Sequence, residues 1–248
     1  VQLDHMTGGR AIFGSGPGAL ASDAHTLGID PMTQRDRQDE AIGIIRRLFN
    51  GERVTAKTDW FTMNDAALQI LPLQEEMPFV VASQISPSGM TLAGKYGIGI
   101  ISLGSMSTQG LMALPTQWGF AEDAAKKAGT TVSRANWRVL LSWHIAETRE
   151  QAWDLAEKYV MVNYRDEYGG GWKHPLIGSQ DQTPVNQLTA LTRDRFVIGN
   201  PDDCVKTIRR FVEAFGVDHL ICRLYFPGNA PSALNANAGS GALSWSRR

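Results

Sequence analysis

Three hydroxyls and a glycine stand together in Ser83-Gln84-Ile85-Ser86-Pro87-Ser88-Gly89, behind an apolar run at residues 79–82 and ahead of a helical pattern. A strand-to-helix turn of that composition offers hydroxyls and free backbone amides to an anion, and the helix dipole adds to the attraction. Ser83, Ser86 and Ser88 are therefore candidate phosphate ligands. The same serines could simply cap the helix, because caps and phosphate sites use the same chemistry.

Gly14, Gly16 and Gly18 end another apolar stub, at residues 11–13. Glycine lets a planar ring or a phosphate approach the backbone; a plain turn reads the same way. No tight G-x-x-G helix start follows, so this is not a dinucleotide fingerprint. His144 lies near the end of the strand-like run 137–145. Alternation puts Leu140, Ser142 and His144 on one face and Val139, Leu141 and Trp143 on the other. With the first set turned inward, His144 could donate or shuttle a proton at a strand-end mouth; a satisfied structural histidine fits the same pattern.

Trp60, Trp118 and Phe226 (and Trp172) are read as lying in loops or at strand ends, where they could wall an apolar substrate pocket. Aromatics serve as core or loop anchors just as readily. Arg223 falls inside the final strand and is read as a structurally paired cation. Metal-hydrolase, serine-hydrolase, redox C-x-x-C and P-loop motifs are absent from the sequence.

The 248 residues carry 43% hydrophobic and 20% charged residues and a net charge of −1. That fits a globular protein with a sizeable core, and gives no electrostatic footprint for nucleic acid or an anionic membrane. The apolar runs are far too short to span a bilayer, and no signal peptide is visible, so a cytoplasmic location is expected. Cys204 and Cys222 lack metal-ligand spacing and read as buried thiols in a reducing compartment.

Five strand-like runs position these residues, at 11–13, 79–82, 98–103, 137–145 and 219–226, and they alternate with helical patterns. Such alternation predicts βαβ units and a mainly parallel sheet. Asp30-Pro31 opens a helix that Gly51 stops. Thr148 and Gln151 read as a capping box, Asn200-Pro201-Asp202-Asp203 starts the last helix, and another helix is expected over 111–128. The connection 52–78 is expected to hold an extra pair of short strands. The connection 165–197 reads as a lid or a disordered excursion. Residues 229–248, mostly Ala, Asn, Ser and Gly, form a low-complexity tail with no packed structure expected.

The wording and order of these segments resemble the bacterial luciferase-like family of flavin-dependent monooxygenases, in the branch that includes limonene monooxygenase-like proteins. The resemblance rests on Leu3-Asp4 with Gly9-Arg10, Gly14-Ser15-Gly16-Pro17-Gly18, Gly28-Ile29-Asp30-Pro31 with Gln34-Arg35, and Thr58-Asp59-Trp60-Phe61. It continues through Leu68-Gln69, Ser86-Pro87-Ser88-Gly89, Ala93-Gly94-Lys95-Tyr96-Gly97, Glu147 to Ala152 and Gly199 to Asp203.

The resemblance implies an α/β fold, a partial (β/α)8 TIM barrel of the luciferase-like type over residues 1–228, supplying strands four to eight. The first three units and the closing helix would be absent. At about 30 residues per unit, three units amount to roughly 90 residues. It further implies reduced FMN and O2 acting on a hydrophobic small molecule, with NAD(P)H or a flavin reductase as electron source. Ser83, Ser86 and Ser88 would then hold the FMN phosphate, and Gly14 and Gly16 would line the isoalloxazine pocket. A homo-oligomer is a possible assembly. Two other readings stand beside this one: a truncated, non-catalytic flavin-binding relative, and a deazaflavin-dependent oxidoreductase.

Overall fold

The computed structural model describes residues 1–18, 20–84, 86–103, 108–162, 196–217 and 219–223. The chain divides into two compact units, Val1–Ile100 with Gly119–Asn136, and Ile101–Trp118 with Trp137–Arg248.

In the first unit, strands β1 (Phe13–Ser15), β4 (Phe79–Ser83) and β5 (Gly99–Ser102) lie in that order, the last two residues of β5 belonging to the second unit. β1 and β4 run parallel, with Phe13 opposite Phe79 and Ser15 opposite Val81. Both strands therefore end on the same side, which brings the glycine stub beside the serine turn.

Between them runs α3 (Gln34–Phe49). The Asp30 side chain accepts the Met32 amide at 2.9 Å, and Pro31 opens a short 3-10 turn that leads into the helix. Its apolar stripe packs inward: Ile42 is fully buried, and the Phe49 ring meets Phe13 edge-on at 5.4 Å. Gly51, at φ 80°, ends the helix region in a conformation that favours glycine.

The expected extra strands are present as an antiparallel hairpin, β2 (Val54–Lys57) and β3 (Thr62–Ala66). Trp60-Phe61 forms its turn, where the Thr58 hydroxyl accepts the Phe61 amide at 3.1 Å. The short helix α1 (Gln2–Met6) is joined to the segment before β4. Asp4 is fully buried, and its carboxylate accepts the Leu73 and Gln74 amides at 2.8 and 3.1 Å and Gln74 Nε2 at 2.7 Å. Burial pushes its pKa upward, but those hydrogen bonds outweigh burial and hold the carboxyl below its ordinary value. A second short helix, α2 (Ala21–Thr26), precedes α3; neither α1 nor α2 is foreshadowed by an apolar period.

In the second unit β6 (Trp137–Ile145) spans the whole expected run and is parallel to two partners. β8 (His219–Arg223) pairs along its first part, Arg138 opposite His219, and β7 (Val197–Gly199) along its last three residues, Trp143 opposite Val197. The sequence gives no strand at 197–199, because a three-residue apolar run carries too little period to read. α6 (Arg149–Val162) packs Ala152 and Ala156 against Phe196 and Ile198. The Thr148 hydroxyl accepts the Gln151 amide at 3.2 Å, one half of the expected box. α7 (Pro201–Phe215) follows β7 and stops at Gly216, φ 62°.

α5 (Thr108–Ala128) runs through both units and starts three residues before the expected position. Residues 224–226 of the expected last strand, residues 165–195 of the connection 165–197 and the tail 229–248 lie outside the described residues. Among the described residues, no helix is long and apolar enough to cross a membrane.

Candidate functional site

β4 delivers Ser83 to its carboxyl end, and α4 (Ser88–Tyr96) begins five residues later. The helix is seated by Gly89. A Cβ there would lie 2.4 Å from the Ala82 carbonyl oxygen and 2.9 Å from Ser83 Cα. Only glycine allows α4 to start this close to the strand. A second glycine, Gly94, seats the other end: its Cβ would stand 2.3 Å from the Ala121 carbonyl oxygen on α5.

The α4 start is left uncapped. Pro87 occupies the cap position, and among the described residues no side chain bonds the first-turn amides. Ser86 and Ser88 bond each other instead, Oγ to Oγ at 2.8 Å. Ser83, against the same turn, is 3% exposed and its hydroxyl has no hydrogen-bond partner among the described residues. A buried unpaired hydroxyl is costly. Two exposed hydroxyls, one buried hydroxyl and a set of open amides thus converge on one helix start, a cradle suited to an anion.

Beside it, the β1 end carries Gly14, Ser15 and Gly16. Cβ atoms at Gly14 and Gly16 would make ordinary contacts, 3.8 Å to Val80 and 3.5 Å to Ala82, so neighbouring side chains do not demand glycine there. The backbone is simply bare. Gly18, at φ 88°, does need glycine, and Gln34 Nε2 would stand 3.0 Å from a Cβ there. Gln38 Nε2, on α3, donates to Ser15 Oγ at 3.1 Å. The first unit therefore brings Gly14, Gly16, Ser83, Ser86 and Ser88 to adjoining ends of two parallel strands. Gln38 and Gly89 belong to the same construction, although neither stood among the candidate residues. Gly89 was readable as the last letter of the serine motif, whereas nothing local flags Gln38.

The second unit presents its own strand end. Ser142 and His144, near the end of β6, are 3% and 1% exposed. Burial alone pushes the His144 pKa down, keeping the ring neutral near pH 7. Trp143 is also buried, and its indole N–H has no partner among the described residues. At the neighbouring β7–α7 turn the Asn200 side chain accepts the Asp203 amide at 2.9 Å, and Asp203 reaches back to the Asn200 amide at 3.3 Å. Arg149 bridges to Asp203 and holds its carboxyl below the usual range. Burial, aided by Asp203, pushes the Cys204 thiol up to about 12, which makes it inert as a nucleophile.

The aromatic candidates do not gather at these ends. Trp60 lies at the hairpin turn against the outer flank of α3, its indole N–H on Glu40 Oε2 at 2.7 Å and the Arg37 guanidinium over its ring. Trp118 corrects its expected placement: it is in the middle of α5, 4% exposed and stacked on Trp137 at 5.3 Å. Trp137 opens β6, its N–H bonded to Ser102 Oγ at 2.8 Å, seven residues before His144. At ~3.3 Å per residue that is about 23 Å along the strand from His144. Phe226 and Trp172 lie outside the described residues, and nothing is described of the Arg223 side chain.

Residues 1–219 match the model of the luciferase-like monooxygenase family. The chain is 41% identical over 221 residues to a 4-hydroxyprotoasukamycin monooxygenase of Streptomyces nodosus subsp. asukaensis, covering 87% of this chain and 59% of that protein. It is 43% identical over 220 residues to a limonene 1,2-monooxygenase of Rhodococcus erythropolis, covering 87% and 55%. The chain thus spans little more than half the length of these curated relatives.

Among solved structures it is similar to monooxygenase RslO1 of Streptomyces bottropensis, with TM-score 0.77 and 20% identity over 96% of this chain and 70% of that one. A Baeyer-Villiger monooxygenase of Pseudomonas putida in complex with FMN superposes with TM-score 0.68 and 20% identity, covering 95% and 68%. An F420-dependent secondary alcohol dehydrogenase in complex with an F420-acetone adduct gives TM-score 0.70 and 21% identity, covering 96% and 71%. At such identities these structures speak to the fold, a partial luciferase-like barrel. On the family match and the two relatives, the chain belongs to the luciferase-like monooxygenase family.

Proposed function

We propose that this chain is part of a flavin-dependent monooxygenase that uses FMN and O2 on a hydrophobic small molecule. The observation that carries the reading is the β4–α4 turn. Among the described residues, its amides are uncapped, Ser86 and Ser88 bond only each other, and the Ser83 hydroxyl is buried without a partner. A dianionic phosphate would satisfy all of these at once.

When bound, reduced FMN would supply the activation of O2. Ser83, Ser86 and Ser88 would bind its phosphate and fix its depth. The bare backbone of Gly14 and Gly16 would let the ring lie close to the β1 end. His144, held neutral by burial, could accept a proton at one ring nitrogen and donate one at the other. For the substrate wall, Phe226 remains a candidate; Trp60 and Trp118 now read better as an anchor of the hairpin and a core ring. NAD(P)H or a flavin reductase would supply electrons, the assembly would be a homo-oligomer, and a cytoplasmic location fits these roles.

The second reading is a deazaflavin enzyme performing hydride transfer, favoured by the likeness to the F420-dependent dehydrogenase. Titrating the chain with FMN, riboflavin and F420, with thermal melting as a second readout, tests both. FMN held at micromolar concentration and more tightly than riboflavin supports the first reading. At a hundredfold excess over Kd, a specific ligand adds about 2.7 kcal/mol to stability. F420 preferred over FMN supports the second reading, and no flavin bound at high micromolar concentration removes the first.

A further inference from the structure

We propose that Asp39 is a positioning residue for the phosphate end of the cofactor site, and that its neighbour Gln38 serves the ring end, so that α3 sets both from consecutive side chains. The inference rests on the FMN reading above.

The Asp39 carboxylate holds the far end of α4. Lys95 Nζ donates to its two oxygens at 2.8 and 2.7 Å, and Tyr96 Oη donates to Oδ1 at 2.7 Å. Arg46 completes the clamp by donating to the Tyr96 carbonyl oxygen at 2.7 Å. Gly43 provides the room, since a Cβ there would stand 3.1 Å from Tyr96 Oη. α4 has nine residues, so its grip lies about 12 Å from the Ser88 amide.

Between grip and cradle α4 buries Met90 and Ala93 and comes closest to β4 at Gly89 and to α5 at Gly94. Those contacts seat the middle of the helix; the Asp39 clamp adds directed hydrogen bonds that fix its C-terminal end. One residue earlier on α3, Gln38 donates to Ser15 Oγ at 3.1 Å, beside the bare glycines of β1. Residues i and i+1 on a helix diverge by about 100°, which lets one helix reach two different elements.

Charge and geometry give opposite signs. Removing the Asp39 charge takes away a negative neighbour, which on charge alone would favour an anion. Removing the clamp lets the cradle drift and weakens phosphate binding. Riboflavin, which lacks the phosphate, separates a positioning role from a general loss of structure.

The test measures FMN and riboflavin dissociation constants for the chain and for Asp39→Ala, Asp39→Asn, Tyr96→Phe and Gln38→Ala, with thermal melting of each. The expected result is about fivefold weaker FMN binding in Asp39→Ala with riboflavin unchanged, and about twofold in Tyr96→Phe. Asp39→Asn, which still accepts the Tyr96 hydroxyl, should stay within about twofold of the parent. Gln38→Ala should weaken both flavins alike. An unchanged FMN-to-riboflavin ratio in both Asp39→Ala and Tyr96→Phe, or tighter FMN binding in Asp39→Ala, overturns the inference alone. A parent chain that does not prefer FMN to riboflavin overturns the cofactor reading, and this inference with it.

Discussion

At the β7–α7 turn the first helical amides are met from inside the chain: Asn200 accepts from Asp203, Asp203 returns the bond, and Pro201 removes one donor altogether. At the β4–α4 turn a proline also stands at the start, yet among the described residues no side chain answers the amides and the nearby hydroxyls turn to each other. Both turns follow strands in parallel pairings. Strand-to-helix layout does not dictate capping, and the open turn supports the anion-binding role proposed for its residues. A stable helix start closes its own hydrogen bonds; a binding helix start leaves them for a ligand.

The seat of α4 is the most direct place to break that comparison. Gly89→Ala forces a Cβ into the Ala82 carbonyl, and we expect a loss of about 2–3 kcal/mol in urea unfolding together with loss of FMN binding. Parental stability in that variant would mean that α4 is not held by this contact. Asn200→Ala should cost about 1 kcal/mol through the lost capping box, with no change in FMN affinity. If FMN binding falls instead, the β7–α7 turn is part of the site.

His144 sharpens the contrast through pH. The unfolded chain takes up the proton first, so the stability tied to the neutral buried ring is full above the unfolded value of 6.5. It declines as pH falls below 6.5 toward the depressed folded value. Denaturation midpoints at pH 7.5 and 5.5 should differ more in the parent than in His144→Gln, and equal differences would mean that this ring is not the titrating group. The smallest stability effect belongs to Ser88→Ala, under about 0.5 kcal/mol, because Ser88 caps nothing. FMN affinity should nevertheless drop several-fold, and a stability loss like that of Asn200→Ala would show that Ser88 is a cap after all.

What the sequence discloses depends on how local the cause is. β6 is legible from end to end because its nine residues are mostly apolar and only single polar residues, Arg138, Ser142 and His144, interrupt them. The α7 start is legible because its cap, proline and acids are contiguous. The hairpin is legible as an extra pair of short strands within 52–78, but the bounds of β2 and β3 and the turn at Trp60-Phe61 are not. β7 was missed because three residues do not define a period. Trp118 was misplaced because an aromatic residue does not announce which end of a strand it packs against. Gln38 and Asp39 stayed hidden for a different reason: their partners lie 23 and 57 residues away, and such pairings exist only after folding.

The Asp4 network has a further consequence. Its carboxylate joins α1 to Leu73 and Gln74, while the Phe13 and Phe79 rings meet at a tilt across the β1–β4 pair, centroids 4.6 Å apart. The β2–β3 hairpin is thus an excursion whose two ends are already stapled together behind it. A protease that nicks the tip at Trp60 would leave two fragments clasped in one particle, and foreign sequence could be spliced in there without loosening the strands that frame the cradle.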